Sequence, residues 1–182
     1  MSEIVVQKFG GTSVGTVDRI DSVAEIIKNA SKSNKIVVVV SAMGGETNRL
    51  VDLAKAFGDD PDKREFDALV STGETVSSAL LAMALHSKGV KAKSFSASQI
   101  SMRTTSSYSK AKILDVDAKK ILDVVENDTI PIITGFQGVT EGGDVTTLGR
   151  GGSDTTAVAI AAQIAAIRCD IYTDVDLSLI HI

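Results

Sequence analysis

The sequence predicts an α/β protein built on a mainly parallel sheet. Short β-branched runs alternate with stretches of helical periodicity, and one of those runs, "KIVVVVS", has no polar alternation. Glycine-rich turns follow several of the runs, where crossover connections would begin. No internal repeat or low-complexity tract is evident, and 182 residues with only two prolines suit one domain with a sizeable core.

Ile4 to Phe9 reads as the first strand, and Thr16 as the cap of a helix whose Val17, Ile20, Ala24 and Ile27 share one face. Lys35 to Ser41 suits a central strand covered on both sides. After the loop "AMGGETN", Leu50, Leu53, Ala54 and Phe57 outline a second amphipathic helix. "FDALVSTGETVSSALLAMALHSKG" is helical with an interruption at "STG" and a stop at Gly89. "VKAKSFS" gives a third strand, Asp117 to Glu126 a helix, and "TIPIITGF" a fourth buried strand. "QGVTEGGDVTTLG" reads as a hairpin turning at Glu141 to Gly143. "GRGGSDTTAVAIAAQIAA" is a glycine turn opening an apolar helix, and "CDIYTDVD" a last strand.

Composition excludes several classes of function. A net charge of −4 with scattered lysines gives no basic stripe, which argues against nucleic acid and anionic membrane as partners and leaves room for a small anion. One cysteine, Cys169, cannot form an internal disulfide and fits a reducing cytoplasm. The N-terminus lacks a signal-peptide pattern, and no apolar run reaches the length of a membrane span. His86 and His181 complete no catalytic triad, and no Cys or His pair has zinc spacing, so no protein metal site is expected.

Four segments fall where such sheets bind ligands, beyond strand ends and at helix starts. In "QKFGGTSVG" Lys8 precedes the glycines, whereas a P-loop places its lysine after them; Lys8 is either a phosphate ligand or a solvated strand-end lysine. "SAMGGETN" after Ser41 is either a second anion nest or a plain connection capped by Thr47 or Asn48. "STGE" is a capping box of Ser71 and Glu74 by spacing, which leaves room for a ligand at the helix start. "LGRGGSDTT" lacks the third glycine of a dinucleotide fingerprint, since Asp154 stands there. Arg150 offers a bidentate fork, Ser153 reads as an N-cap, and Asp154 as compensation of the helix dipole.

Together these segments closely resemble the aspartate kinases of the amino-acid kinase superfamily. The resemblance runs in order through "KFGGTSVG", "VVVVSAMGGETNRLVDLA", "LVSTGETVSSALLAMAL", "GFQGV", "TTLGRGGSDTTAVAIAA" and "IYTDVD", nearly the whole chain. It implies a three-layer αβα sandwich, the amino-acid kinase fold, incomplete at its C-terminus. It also implies ATP-dependent phosphorylation of the L-aspartate side chain, with Mg2+ arriving on ATP. Lys8 and Asp154 would be catalytic; Thr47, Glu74, Arg150, Gly151, Gly152 and Ser153 would bind aspartate. Lys8, Phe9, Gly10, Gly11, Ser41, Thr173 and Asp174 would meet ATP. A homo-oligomer is expected for a full-length protein of this kind. A non-catalytic anion-binding module and a kinase of another small acid are the alternatives.

The family continues after "TDVD" with glycine, whereas this chain has Leu177, and "LSLIHI" resembles the in-frame translation of a transposon-end adapter. The expectation is that residues 1–176 are the N-terminal part of a catalytic domain and 177–182 a non-native tail, with no appreciable kinase activity from the 182 residues alone.

Overall fold

A computed structural model describes residues 3–173 and 178–180. Along the chain run β1 (Ile4–Phe9), α1 (Val17–Ala30), β2 (Lys35–Val40), α2 (Glu46–Lys55), α3 (Lys63–Val70), α4 (Thr72–Ser87), β3 (Ala92–Phe95), β4 (Arg103–Thr104), β5 (Ile113–Asp115), α5 (Ala118–Glu126), β6 (Ile130–Thr134), β7 (Gln137–Val139), β8 (Val145–Thr147), α6 (Gly152–Gln163), β9 (Arg168–Tyr172) and β10 (Ser178–Ile180). The main sheet has the order β10-β9-β1-β2-β6-β3. Its strands are parallel except β10, which runs antiparallel to β9.

The unbroken apolar run of β2 follows from burial on both faces. Ile36, Val38 and Val40 point to a core shared with α1 and α4, through Ile20, Ala24, Ile27, Leu81 and Leu85. Val37 and Val39 point the other way, to α5 and α6, through Ile121, Val125, Ala157 and Ile160. Period-two alternation thus feeds two cores, which makes the three-layer αβα sandwich. Each fully buried Ile, Leu or Val contributes about 1.5–3 kcal/mol relative to exposure. Cys169 is free and buried in the second core, as a small apolar residue.

Thr16 caps α1 as its position predicts, accepting the amide hydrogen of Arg19 at 3.2 Å. Other local expectations are corrected. Gly45, in the left-handed region at φ 82°, precedes α2, so neither Thr47 nor Asn48 is its cap. That helix stops at Lys55, leaving Phe57 outside it and 93% exposed, with Leu53 on its outer side. Gly151, at φ 74°, precedes α6, so Ser153 is not its cap either. The capping box at "STGE" does not form: the Ser71 hydroxyl donates to the Ala68 carbonyl, while Glu74 turns to another partner. Ser71 keeps helical angles and both ends α3 and begins α4. The helical stretch Lys63–Ser87 is consequently long and apolar enough, by length and composition alone, to cross a membrane, contrary to the sequence reading. Half of its most apolar window is buried within the protein.

A second sheet, β5-β4-β7-β8, carries the expected hairpin as β7 and β8. Strands β4 and β5 have no counterpart in the sequence reading, being two and three residues long. Here β4 crosses Gly138 so closely that a Cβ added there would lie 2.1 Å from Cγ2 of Thr104. The Thr104 and Thr146 hydroxyls meet beside it at 2.6 Å. Gly138→Ala is therefore expected to destabilise the protein by about 1–3 kcal/mol, as overpacking does. Gly142→Ala at the open hairpin tip, where the nearest atom is Thr140 Oγ1 at 3.7 Å, should stay within roughly 0.5 kcal/mol. Urea unfolding of the pair checks this; equal midpoints would show that the crossing is looser than described.

Candidate active site

The loops after β1 and β2 leave the carboxyl ends of adjacent parallel strands and pack backbone against backbone. A Cβ on Gly11 would lie 2.9 Å from the Ala42 carbonyl oxygen, and one on Gly44 would lie 3.4 Å from that of Gly11. At position 11 only glycine permits this approach. Beside the loops lies a cavity of about 440 Å³, lined by Lys8, Gly11, Ser41, Thr47, Glu74, Arg150, Gly151, Gly152, Ser153 and Asp154, all singled out in the sequence. Ala42, Met43, Phe66, Ser109, Phe136, Thr147 and Gly149 also line it.

Alternation along β1 sends Val6 and Lys8 toward α6, and Val5 and Phe9 toward α1. The Lys8 ammonium, with its side chain 8% exposed, meets Oδ1 of Asp154 at 2.6 Å, and Asp154 is half-exposed. Asp154 thus pairs a cation in addition to occupying the first turn of α6. Gly10 lies beside this pair, since a Cβ there would be 3.4 Å from Lys8 Nζ, although it does not line the cavity. Phe9 is not at the cavity: its ring is buried and stacks on Tyr172 at 4.5 Å. Thr173 follows β9 and is not among the lining residues, and Asp174 lies outside the described residues.

Glu74 is almost fully buried. Its Oε1 accepts the Ala42 amide hydrogen at 3.1 Å, while the buried Oε2 has no hydrogen-bond partner among the described residues. Burial pushes its pKa up to about 7, against a smaller lowering by the Ala42 amide. Gly73 allows the approach, because a Cβ there would be 2.7 Å from that of Ala42. The Ser77 hydroxyl, one turn further on, fastens the same helix to the Ser41 carbonyl at 2.7 Å. Arg150 is exposed at the mouth, between Gly149 and Gly151, both in the left-handed region. The cavity therefore presents one buried carboxyl group with an oxygen unpaired among the described residues, one shielded cation with its partner, and one exposed guanidinium. Such an arrangement can receive a zwitterion beside a phosphate.

Of the lining residues given no role in the sequence reading, Ser109 lies outside every quoted motif, whereas Phe136 and Thr147 stand inside "GFQGV" and "TTLGRGGSDTTAVAIAA". Phe136 follows β6 at φ 66°, unusual for an aromatic residue, and its amide donates to Thr156 Oγ1 at 3.1 Å. A Cβ on Gly152 would meet its ring at 2.8 Å, so the phenylalanine and the α6 glycine fit each other. Ser109 arrives from an irregular loop and Thr147 from the end of β8.

A model of the amino acid kinase family matches residues 3–177. The chain is 56% identical over 174 residues to an aspartate kinase of Stutzerimonas stutzeri, covering 95% of this chain and 42% of that one. Among solved structures it resembles aspartate kinase from Synechocystis (TM-score 0.81, 46% identity, 94% of this chain and 28% of that one). It also resembles E. coli aspartokinase III in complex with aspartate and ADP (TM-score 0.87, 30% identity, 95% of this chain and 49% of that one). The chain thus spans about two-fifths of the length of the curated relative.

With an ordinary value of 4.5 and a folded value of about 7, the folded state holds the Glu74 proton more tightly than the unfolded chain does. Stability from this group is complete below about 4.5 and is lost as pH rises through about 7, by on the order of 3 kcal/mol. Glu74→Gln has no such titration. Its melting temperature should gain on the natural protein by several degrees between about pH 5 and about pH 8. Thermal melts across that range check this, and a constant difference would count against a raised pKa.

Proposed function

This chain belongs to the amino acid kinase family, and we propose on that footing that it serves an aspartate kinase, transferring the γ-phosphoryl group of ATP to the side-chain carboxylate of L-aspartate. The product is 4-phospho-L-aspartate, at the entry to lysine, threonine and methionine synthesis. The observation that carries the reading is the buried Glu74 oxygen, unpaired among the described residues, in the same cavity as Arg150 and the Lys8–Asp154 pair. Glu74 and Arg150 suit the ammonium and α-carboxylate of an amino acid, and Lys8 suits the phosphoryl group between substrate and nucleotide.

The acceptor carboxylate, with an ordinary pKa of about 3.9, is ionised at neutral pH and needs no general base. One of its oxygens attacks the γ-phosphorus as the bond to the ADP oxygen breaks. The obstacle is bringing an anion against a polyanion, so positioning and charge neutralisation supply the rate. Lys8 neutralises the transferring group and Asp154 holds the ammonium at the strand end. Thr47, Gly151, Gly152 and Ser153 line the acceptor side. Gly10, Gly11 and Ser41 surround the phosphates from their two loops, and Phe9 supports them from beneath. Thr173 and Asp174 belong to the start of the nucleoside side. Among the described residues no group of three or more His, Cys, Asp or Glu side chains is placed to hold a metal. Magnesium in this reading enters on the phosphates of ATP and adds to the charge neutralisation. The reading also includes a cytoplasmic location and a homo-oligomeric longer protein. The 182 residues by themselves would bind aspartate without turning it over.

Calorimetric titration with L-aspartate tests the acceptor site. Arg150→Lys keeps the charge and loses the fork, so aspartate affinity should fall about tenfold, the worth of one charged hydrogen bond, while ADP affinity holds. Phosphate binding without any aspartate binding would favour a non-catalytic anion module. Turnover is measured as hydroxamate-trapped acyl phosphate on the chain continued to the length of its relatives. There Lys8→Ala should lower kcat by about 10²–10³ with aspartate binding nearly intact. Near-normal turnover would remove Lys8 from the phosphoryl site.

A further inference from the structure

Asp67, in the middle of α3, is completely buried and forms no ion pair among the described residues. Four donors surround its carboxylate. The amide hydrogens of Ser109 and Thr147 are donated to Oδ2, each at 2.8 Å, and the hydroxyls of the same two residues to Oδ1, at 3.0 and 2.9 Å. A buried carboxylate without a cation is expensive unless all its lone pairs are used, and amide–hydroxyl pairs from two separate segments use them here. An uncharged core residue would hold α3 in place at less cost, so the charge calls for another role.

Both residues that donate those bonds, Ser109 and Thr147, line the cavity. Ser109 sits at φ 65°, in the left-handed region that a serine enters only when its surroundings hold it there. Its carbonyl would be 3.2 Å from a Cβ on Gly149, the residue before Arg150. Thr147 is the last residue of β8, two before Gly149, and its carbonyl accepts the Ala111 amide hydrogen at 2.9 Å. One carboxylate thus fixes the irregular loop, the end of the hairpin and, through them, the backbone that delivers Arg150.

We infer that Asp67 is the positioning residue of the acceptor site, clamping Ser109 and Thr147 so that the Arg150 backbone is set before substrate arrives. This rests on the proposed acceptor site. Asn in its place keeps the volume, but offers an NH2 to two of the four donors, so the clamp opens on one side.

The test is calorimetric titration of L-aspartate into the 182-residue chain at a temperature where circular dichroism shows every variant folded. Val125→Ala, on the buried face of α5, supplies a variant destabilised without touching the clamp. Asp67→Asn should weaken aspartate binding at least tenfold, whereas Val125→Ala should leave it within about twofold despite a similar loss in melting temperature. If Asp67→Asn does not fold, Thr147→Val, which removes one hydroxyl donor, should weaken binding about threefold or more. Unchanged affinity in whichever of the two clamp variants folds would overturn the inference. Absence of aspartate binding by the natural chain would instead overturn the acceptor-site reading itself.

Discussion

A lysine whose side chain is 8% exposed must be neutralised by something the fold brings to it, and at Lys8 that is Asp154 at 2.6 Å. The pairing constrains a large part of the molecule. Asp154 stands in the first turn of α6, so the helix has to begin level with the end of β1. The connection from β8 achieves this with two left-handed glycines, Gly149 and Gly151. Further along, Ala157, Ile160 and Ala161 anchor α6 over Val6 and Val39. The apolar contacts that stabilise the sandwich are therefore those that deliver the counter-charge. Because Asp154 is half-exposed while Lys8 is not, an incoming anion can share the ammonium from the cavity side without dismantling the core.

The opposite wall obeys a different rule. Gly73 lets α4 press its first turn onto the loop after β2, and the contact that brings Glu74 to the Ala42 amide also removes it from water. One oxygen is satisfied and the other is not. Dehydration and positioning are one event here, and an arriving ammonium would restore at that oxygen what folding removed. The two walls thus differ in cost: one carries its own counter-ion, the other a dehydrated carboxyl group with one oxygen unpaired among the described residues.

Much of this was legible in the sequence because it depends on local pattern. The β2 run announced its double-sided burial, Thr16 its cap, and the glycine loops their places after strands. Ten residues singled out by motif or by the family resemblance line one cavity. Local spacing misled where tertiary contacts compete with it. "STGE" has the pattern of a capping box, but Ser71 continues a helix already in progress, so its hydroxyl bonds backward and Glu74 is free to reach Ala42. Phe57 fits the helical period of Leu50 and Ala54, but α2 stops short of it. Asp67 and Ser109 stand in no quoted family motif, and Phe136 and Thr147 stand in quoted ones without an assigned role, since the meaning of all four comes from partners tens of residues away. An acidic residue at a buried position of an amphipathic helix was the one available clue to Asp67, and it was invisible until the facing segments were known.

The contact between Gly11 and Ala42 has a consequence for how an anion would be received. Two loops that touch through their backbones restrict each other's torsions, and ordering a residue costs about 1–2 kcal/mol whenever it happens. In this molecule that entropy is surrendered during folding, when the sandwich closes, so none of it is subtracted from the affinity of a ligand that comes later. Glycine, the residue with most freedom in an unfolded chain, here serves as the stiff part of the receptor.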